Sequence, residues 1–156
     1  MKYIIYDLDG CIADDRWRQP LIDHSLPDPW AKYHEGCYSD PLMNKNWVQI
    51  GRFICAPIVF TARPEYVSTQ TRHWLRDVAG LEVEWLFMRP NDDHITPSVK
   101  LKEQFLNQCF TRHGIVSKDI SIALDDRADI LNMYKRYSIP TCQLNYPKGK
   151  KHEAKC

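Results

Sequence analysis

Tyr3-Ile4-Ile5-Tyr6-Asp7-Leu8-Asp9-Gly10 decides the fold, because four β-branched or aromatic residues run unbroken and then stop at two acids and a glycine. A continuous apolar run of this length suits a strand buried on both faces of a parallel sheet. Gly10 lets the chain turn tightly where that strand ends. Three stretches repeat the pattern: Pro57-Ile-Val-Phe-Thr61, Val83-Glu-Trp-Leu-Phe-Met88 and Ile120-Ser-Ile-Ala-Leu124, with Thr141-Cys-Gln-Leu144 as a weaker fifth. Helical spacing fills the gaps. Val67, Thr71, Trp74, Leu75 and Val78 follow Pro64 and precede Gly80; Pro97 opens a second helix that Gly114 ends. A third helix is predicted over Ala128 to Tyr137 and another over Pro41 to Phe53. Strands alternating with helices predict right-handed βαβ units and an α/β sheet covered on both faces.

Outward from this frame, residues 11–40 behave differently, being rich in Pro, Asp, His and aromatics without a clear period. They predict a long functional loop or a small cap. A chain of 156 residues with a formal net charge of +1 predicts one domain and argues against a generally basic nucleic-acid binder. Residues 148–156 read as a basic tail. Six cysteines at irregular spacing form no CxxC pair, and no apolar stretch is long enough for a membrane. Reduced thiols and a cytoplasmic location are the expectation. Cys109 with His113, and His34 with Cys37, would offer a zinc set, although buried thiols and surface histidines account for them equally.

In an open α/β sheet, ligands bind at the carboxyl ends of the strands. Asp7-Leu-Asp9-Gly10, Thr61-Ala-Arg63 and Asp125-Asp126-Arg127 all fall at such ends, and Lys100 lies near the start of the helix after the third strand. Carboxylates gathered in one crevice repel one another and need a cation, and hard oxygen donors with room for water suit Mg²⁺. One carboxylate can attack phosphorus, and a second can protonate the leaving oxygen and later deprotonate water. Thr61 and Lys100 would donate to the phosphoryl oxygens. The Asp-x-Asp-Gly run is no calcium loop of the EF-hand kind, since Arg18 occupies the twelfth position where Glu is required.

Tyr-Asp7-Leu-Asp9-Gly10, Phe60-Thr61-Ala-Arg63, Val99-Lys100 and Leu124-Asp125-Asp126-Arg127 resemble, in order, the four motifs of the haloacid dehalogenase (HAD) superfamily. Arg18, Thr71 through Gly80, Phe87-Met-Arg89-Pro90 and Met133-Tyr-Lys-Arg136 look closer still to the phosphatase domain of phage polynucleotide kinase–3′-phosphatase and its stand-alone relatives. The resemblance implies a Rossmann-like three-layer sandwich with a mainly parallel sheet and a small or minimal cap. It implies one domain over residues 1–147, with host cytoplasm as the location if the chain is phage-encoded. By it, Asp7 is the nucleophile and Asp9 the general acid/base, which also gives its main-chain carbonyl to Mg²⁺. Thr61 and Lys100 bind the phosphate, with Lys102 the alternative lysine. Asp126 is the direct metal ligand with Asp125 beside it, and Arg18 and Arg63 grip substrate. The implied activity is Mg²⁺-dependent removal of 3′-phosphate from nucleic-acid ends, with nucleoside monophosphates as the alternative substrates. Cys11 departs from the pattern by standing where Thr or Ser is usual, and no GxxxxGK[ST] loop for a kinase is present.

A phosphorylated signalling module of the receiver type uses similar residues, but it places its acidic pair after the first strand, whereas Asp125-Asp126 comes late. A binding module without catalysis fits poorly with both Asp7 and Asp9 in place. Trp30, Tyr33 and Tyr38 would either stack on a base or pack the insert onto the domain.

Overall fold

The computed structural model describes residues 1–146, so the basic tail lies outside the described residues. Its five strands are β1 (Tyr3–Tyr6), β2 (Ala56–Pro64), β3 (Trp85–Arg89), β4 (Ile120–Asp125) and β5 (Thr141–Gln143). They form one sheet in the order β3-β2-β1-β4-β5, and every ladder is parallel. The chain builds outward from β1 to one edge, then returns to build the other. The crevice at that switch point lies over the ends of β1 and β4.

The unbroken apolar run of β1 is explained by its two faces. Ile4 and Tyr6 join Val59, Leu124, Trp74 and Leu75 in one core, while Ile5 joins Ile58, Phe60, Leu101, Phe105 and Tyr134 in the other. Helices α2 (Lys45–Phe53) and α3 (Ser68–Trp74, widened by a π-type turn over Leu75–Ala79) bring side chains to the first core. Helices α4 (Ser98–Arg112) and α5 (Ala128–Arg136) cover the second, completing three layers. Each fully buried large apolar side chain contributes about 1.5–3 kcal/mol, so the two cores hold the sheet from both sides.

Two boundaries differ from the sequence reading by three residues or more. Strand β2 continues past Thr61 to Pro64 through an irregularity after Phe60, so the Thr61-Ala-Arg63 segment lies inside the strand's carboxyl end. Helix α2 begins at Lys45 rather than Pro41, because Pro41–Met43 pair with the loop after β1. Asp14 N–H donates to Pro41 O, Met43 N–H donates to Ile12 O, and Ala13 bridges Leu42. Those bonds bring the two ends of the insert together. Within it are short 3-10 turns at Gln19–Leu21 and Gly36–Ser39 around helix α1 (Ala31–Glu35). The indole of Trp74 fastens the far end by donating to Asp40 O at 2.7 Å.

Candidate active site

Asp7 is placed by the ladder itself: its N–H donates to Leu124 O at 3.0 Å, holding it beside the end of β4. The chain then folds on one carbonyl, with Leu8 O accepting from Cys11, Ile12 and Ala13 N–H. Gly10 makes this possible at φ +78°, and its lack of a side chain admits the neighbouring acid. A Cβ there would lie 2.7 Å from Asp126 Oδ2. Asp125 ends β4 and Asp126 follows, and carboxylate oxygens of Asp7, Asp125 and Asp126 lie within 4.8 Å of one another.

The lysine facing this cluster is Lys102, which corrects the expectation for Lys100. Lys102 Nζ donates to Asp7 Oδ1 at 2.6 Å and to Asp125 Oδ2 at 2.7 Å, while Lys100 is exposed. Two residues apart on a helix of 3.6 residues per turn are nearly opposite faces. Lys102 shares its face with Phe105, Leu106 and Cys109, at spacings of three, four and seven, and that periodicity was available in the sequence.

Arg18 and Arg63 are also placed otherwise than expected. Both are fully buried, with their donors committed to carboxylates rather than open to substrate. Arg18 Nη2 donates to Asp9 Oδ1 at 2.5 Å, and Arg63 Nη2 donates to the same oxygen at 2.6 Å. Asp40, at the far end of the insert, accepts from both guanidiniums at 2.7–3.0 Å and braces them. A buried guanidinium cannot leave such partners without exposing uncompensated charge. The two arginines therefore orient Asp9. No motif marked Asp40, since a single Asp before Pro41 carries no local signal.

Thr61 is buried beside this group, its Oγ1 accepting Arg63 N–H at 3.2 Å and its own hydroxyl proton remaining to donate. Cys11 is buried, and burial followed by the nearby Asp7 charge pushes its thiol well up, so it stays protonated. Among the described residues Cys109 lies in the second core and His113 packs against Trp85 and Phe87, away from any metal-capable group.

Burial raises the Asp7 carboxyl well above its ordinary range, and the Asp125 charge adds to this against the opposing pull of Lys102. Burial, then Asp125, lifts Asp126 to about 6. Three carboxylates share one ammonium, so the Lys102 pair does not neutralise the cluster. Asp9 differs. Burial would raise it, but the guanidiniums of Arg63 and Arg18 outweigh that and hold it at about 2.

The hard-oxygen set of Asp7, Asp125 and Asp126, packed against a glycine cradle, fits a small divalent cation such as Mg²⁺. The Asp9 side chain is engaged by its arginines, leaving the main-chain carbonyl as the part of that residue free for a metal. These groups lie at the bottom of a cleft of about 640 Å³. Its walls come from the insert (Trp30, Tyr33, His34), from Tyr66, from Arg89 at the end of β3 with Pro90, Asn91 and Asp93 after it, and from Tyr146. Tyr33 is buried with its hydroxyl on Asp15, Trp30 is 43 % exposed in the wall, and Tyr38 lies instead against His73.

Residues 1–148 match the family model of the polynucleotide kinase PNKP phosphatase domain. Among solved structures, the chain is similar to one in a Pnkp1/Rnl/Hen1 complex at 21% identity and TM-score 0.68, over 95% of this chain and 46% of that one. A second such structure, described as an RNA repair complex, has a TM-score of 0.67 at 21% identity, over 95% and 43%. This chain thus spans less than half the length of both. CbbY from Rhodobacter sphaeroides in complex with phosphate is similar at 12% identity and TM-score 0.62, over 99% and 91%. A HAD family enzyme from Bacteroides thetaiotaomicron in complex with magnesium and inorganic phosphate gives 9%, 0.54, 97% and 98%.

Proposed function

The chain belongs to the HAD superfamily, in the family of the PNKP phosphatase domain, and from that membership as a phosphatase we propose Mg²⁺-dependent hydrolysis of 3′-phosphate at nucleic-acid ends through an aspartyl-phosphate. The observation that carries this reading is one cleft holding Asp7 beside Lys102, with Asp9 clamped by two guanidiniums two residues further on. One carboxylate is placed for phosphorus chemistry and the other, two residues on, for proton chemistry.

An Asp7 carboxylate oxygen attacks phosphorus as the bond to the leaving oxygen breaks, while Asp9 delivers a proton to that oxygen. Asp9 is a carboxylate before substrate arrives; as the phosphate dianion binds beside it, Asp9 takes one proton from solvent, and hydrolysis of the aspartyl-phosphate later returns it to that protonated form. Asp9 then takes a proton from water, which attacks the aspartyl-phosphate, releases inorganic phosphate and restores Asp7. Lys102 and the Thr61 hydroxyl hold the phosphoryl oxygens throughout. A bound Mg²⁺, held by Asp7, the Asp9 carbonyl and Asp126 with Asp125 beside it, supplies charge neutralisation at the phosphoryl group.

Support for a nucleic-acid end comes from the family model and from the RNA repair complex to which the similar Pnkp1 chain belongs. Mononucleotides are the second reading, favoured by the room in the cleft for a small ester. Phosphate release from 3′-phosphoryl oligonucleotides and from nucleoside monophosphates, with and without Mg²⁺, separates them. Asp7→Asn is expected to lower turnover at least ~10³-fold while leaving the fold intact. Release from mononucleotides alone defeats the polynucleotide reading, and retained turnover in Asp7→Asn defeats the mechanism.

A further inference from the structure

We propose that the wall formed by Trp30 and Tyr66 around His34 is a nucleobase subsite, where the base of the nucleotide being dephosphorylated stacks. The orientation of the ester rests on the phosphatase reading: the leaving group departs on the side of Asp9, which protonates it. That side leads to the aromatic wall through two residues, Arg18 and Tyr33. Arg18 holds Asp9 with Nη2 and lies with its guanidinium carbon 4.1 Å over the Tyr33 ring. Tyr33 meets Trp30 edge-on at 5.4 Å and His34 at 5.1 Å. His34 in turn lies 6.1 Å from Trp30, near parallel, and 6.4 Å from Tyr66, edge-on.

Two properties make this wall a receptor for a flat neutral ring. Trp30 and Tyr66 stay 43 % and 45 % exposed inside a concave cleft, each packed on one side against the protein with apolar surface left open to a ligand. Their backbones are also held before any ligand arrives: the main-chain N–H of Trp30 donates to Asp28 Oδ1 at 3.0 Å and that of Tyr66 to Asn91 Oδ1 at 2.8 Å. The rings pack against His34, and the Tyr33 hydroxyl behind them donates to Asp15. Fixed aromatic platforms bind bases with little sequence preference and little ordering cost.

Among the described residues the wall itself offers no free cation: Asp28 lines it, and the nearby Arg89 lies 3.6 Å from Asp93. His34 is neutral: burial, with Arg18 and Arg63 nearby, lowers its imidazole to about 4 despite Asp9 and Asp28, and its Nδ1 has no partner. A small anionic sugar phosphate gains nothing from such a surface. A nucleoside places its phosphate at Asp7 and its base on the aromatic rings.

The test compares oligonucleotides ending in a normal 3′-phosphorylated nucleotide with ones ending in an abasic 3′-phosphate. The native chain is expected to favour the base-bearing end at least ~10-fold in kcat/KM, and Trp30→Ala or Tyr66→Ala to reduce that ratio ~10-fold. Trp30→Phe is expected to restore it. A native ratio near one overturns the subsite while leaving the phosphatase reading standing. A second readout does not depend on turnover: 2-aminopurine nucleoside 3′-phosphate bound to Asp7→Asn is expected to lose fluorescence by stacking, and to keep it when Trp30→Ala is added. Quenching that is equal with and without Trp30 and Tyr66 overturns the subsite. If no ester is hydrolysed, the phosphatase reading fails, and this binding measurement alone decides the subsite.

Discussion

Lys102 is a buried cation whose ammonium is held by Asp7 and Asp125, and burial, which would lower it, is outweighed by those two carboxylates so that it stays charged. It limits repulsion among the acids and, on the proposed reading, points a donor at the phosphoryl group. Lys102→Met is expected to lower kcat on every phosphate ester by ~10²–10³-fold, the loss typical of one donor to developing charge. Lys100→Ala, on the exposed face of α4, is expected to stay within about twofold of the native rate. Steady-state kinetics on both variants checks the assignment, and the reverse pattern would return the role to Lys100. Arg18 and Arg63 carry the same lesson. Their positions in the motifs pointed to substrate, but their burial and shared hold on Asp9 and Asp40 make them positioning residues.

The insert is the element that turns a parallel sheet with an acidic crevice into a walled site. Its ends are pinned by Asp14 and Pro41, its far end by Trp74, and its interior by Arg18 and Tyr33. His34 lies within it as a neutral imidazole at about 4, against 6.5 when unhindered, so the unfolded chain binds this proton more tightly. Stability attached to His34 is complete above pH 6.5 and is lost as pH falls from 6.5 toward 4. At pH 5 the loss is ~2 kcal/mol. His34→Gln is therefore expected to shrink the fall in Tm between pH 7 and pH 5, measured by thermal denaturation. An unchanged difference would mean that the imidazole is already charged in the folded chain.

Across the whole molecule, β1 and β4 bring Asp7 and Asp125-Asp126 together from opposite ends of the chain, and α4 adds Lys102 from between them. On the proposed reading the folded chain thereby holds a cation site that the unfolded chain lacks, so Mg²⁺ is expected to raise Tm with concentration. The gain would be ~2.7 kcal/mol at a hundred times Kd. Asp126→Asn is expected to flatten that dependence, and a Tm insensitive to Mg²⁺ would remove the cation site. No helix among the described residues is long and apolar enough to cross a membrane. The sequence by itself determined the parallel α/β sheet, since β1 must be apolar on both faces and the polar clusters then fall at strand ends. It also determined Asp7, Asp9 and the late acidic pair, because those residues follow directly on strands whose direction the pattern sets. The face of α4 that carries Lys102 was legible too, in its spacing to Phe105, Leu106 and Cys109. Only the tertiary structure decided that Arg18 and Arg63 are sealed against Asp9 and that Asp40 braces them. Those outcomes depend on contacts between residues 9, 18, 40 and 63, and a buried ion-pair network spread over such separations has no local period to reveal it.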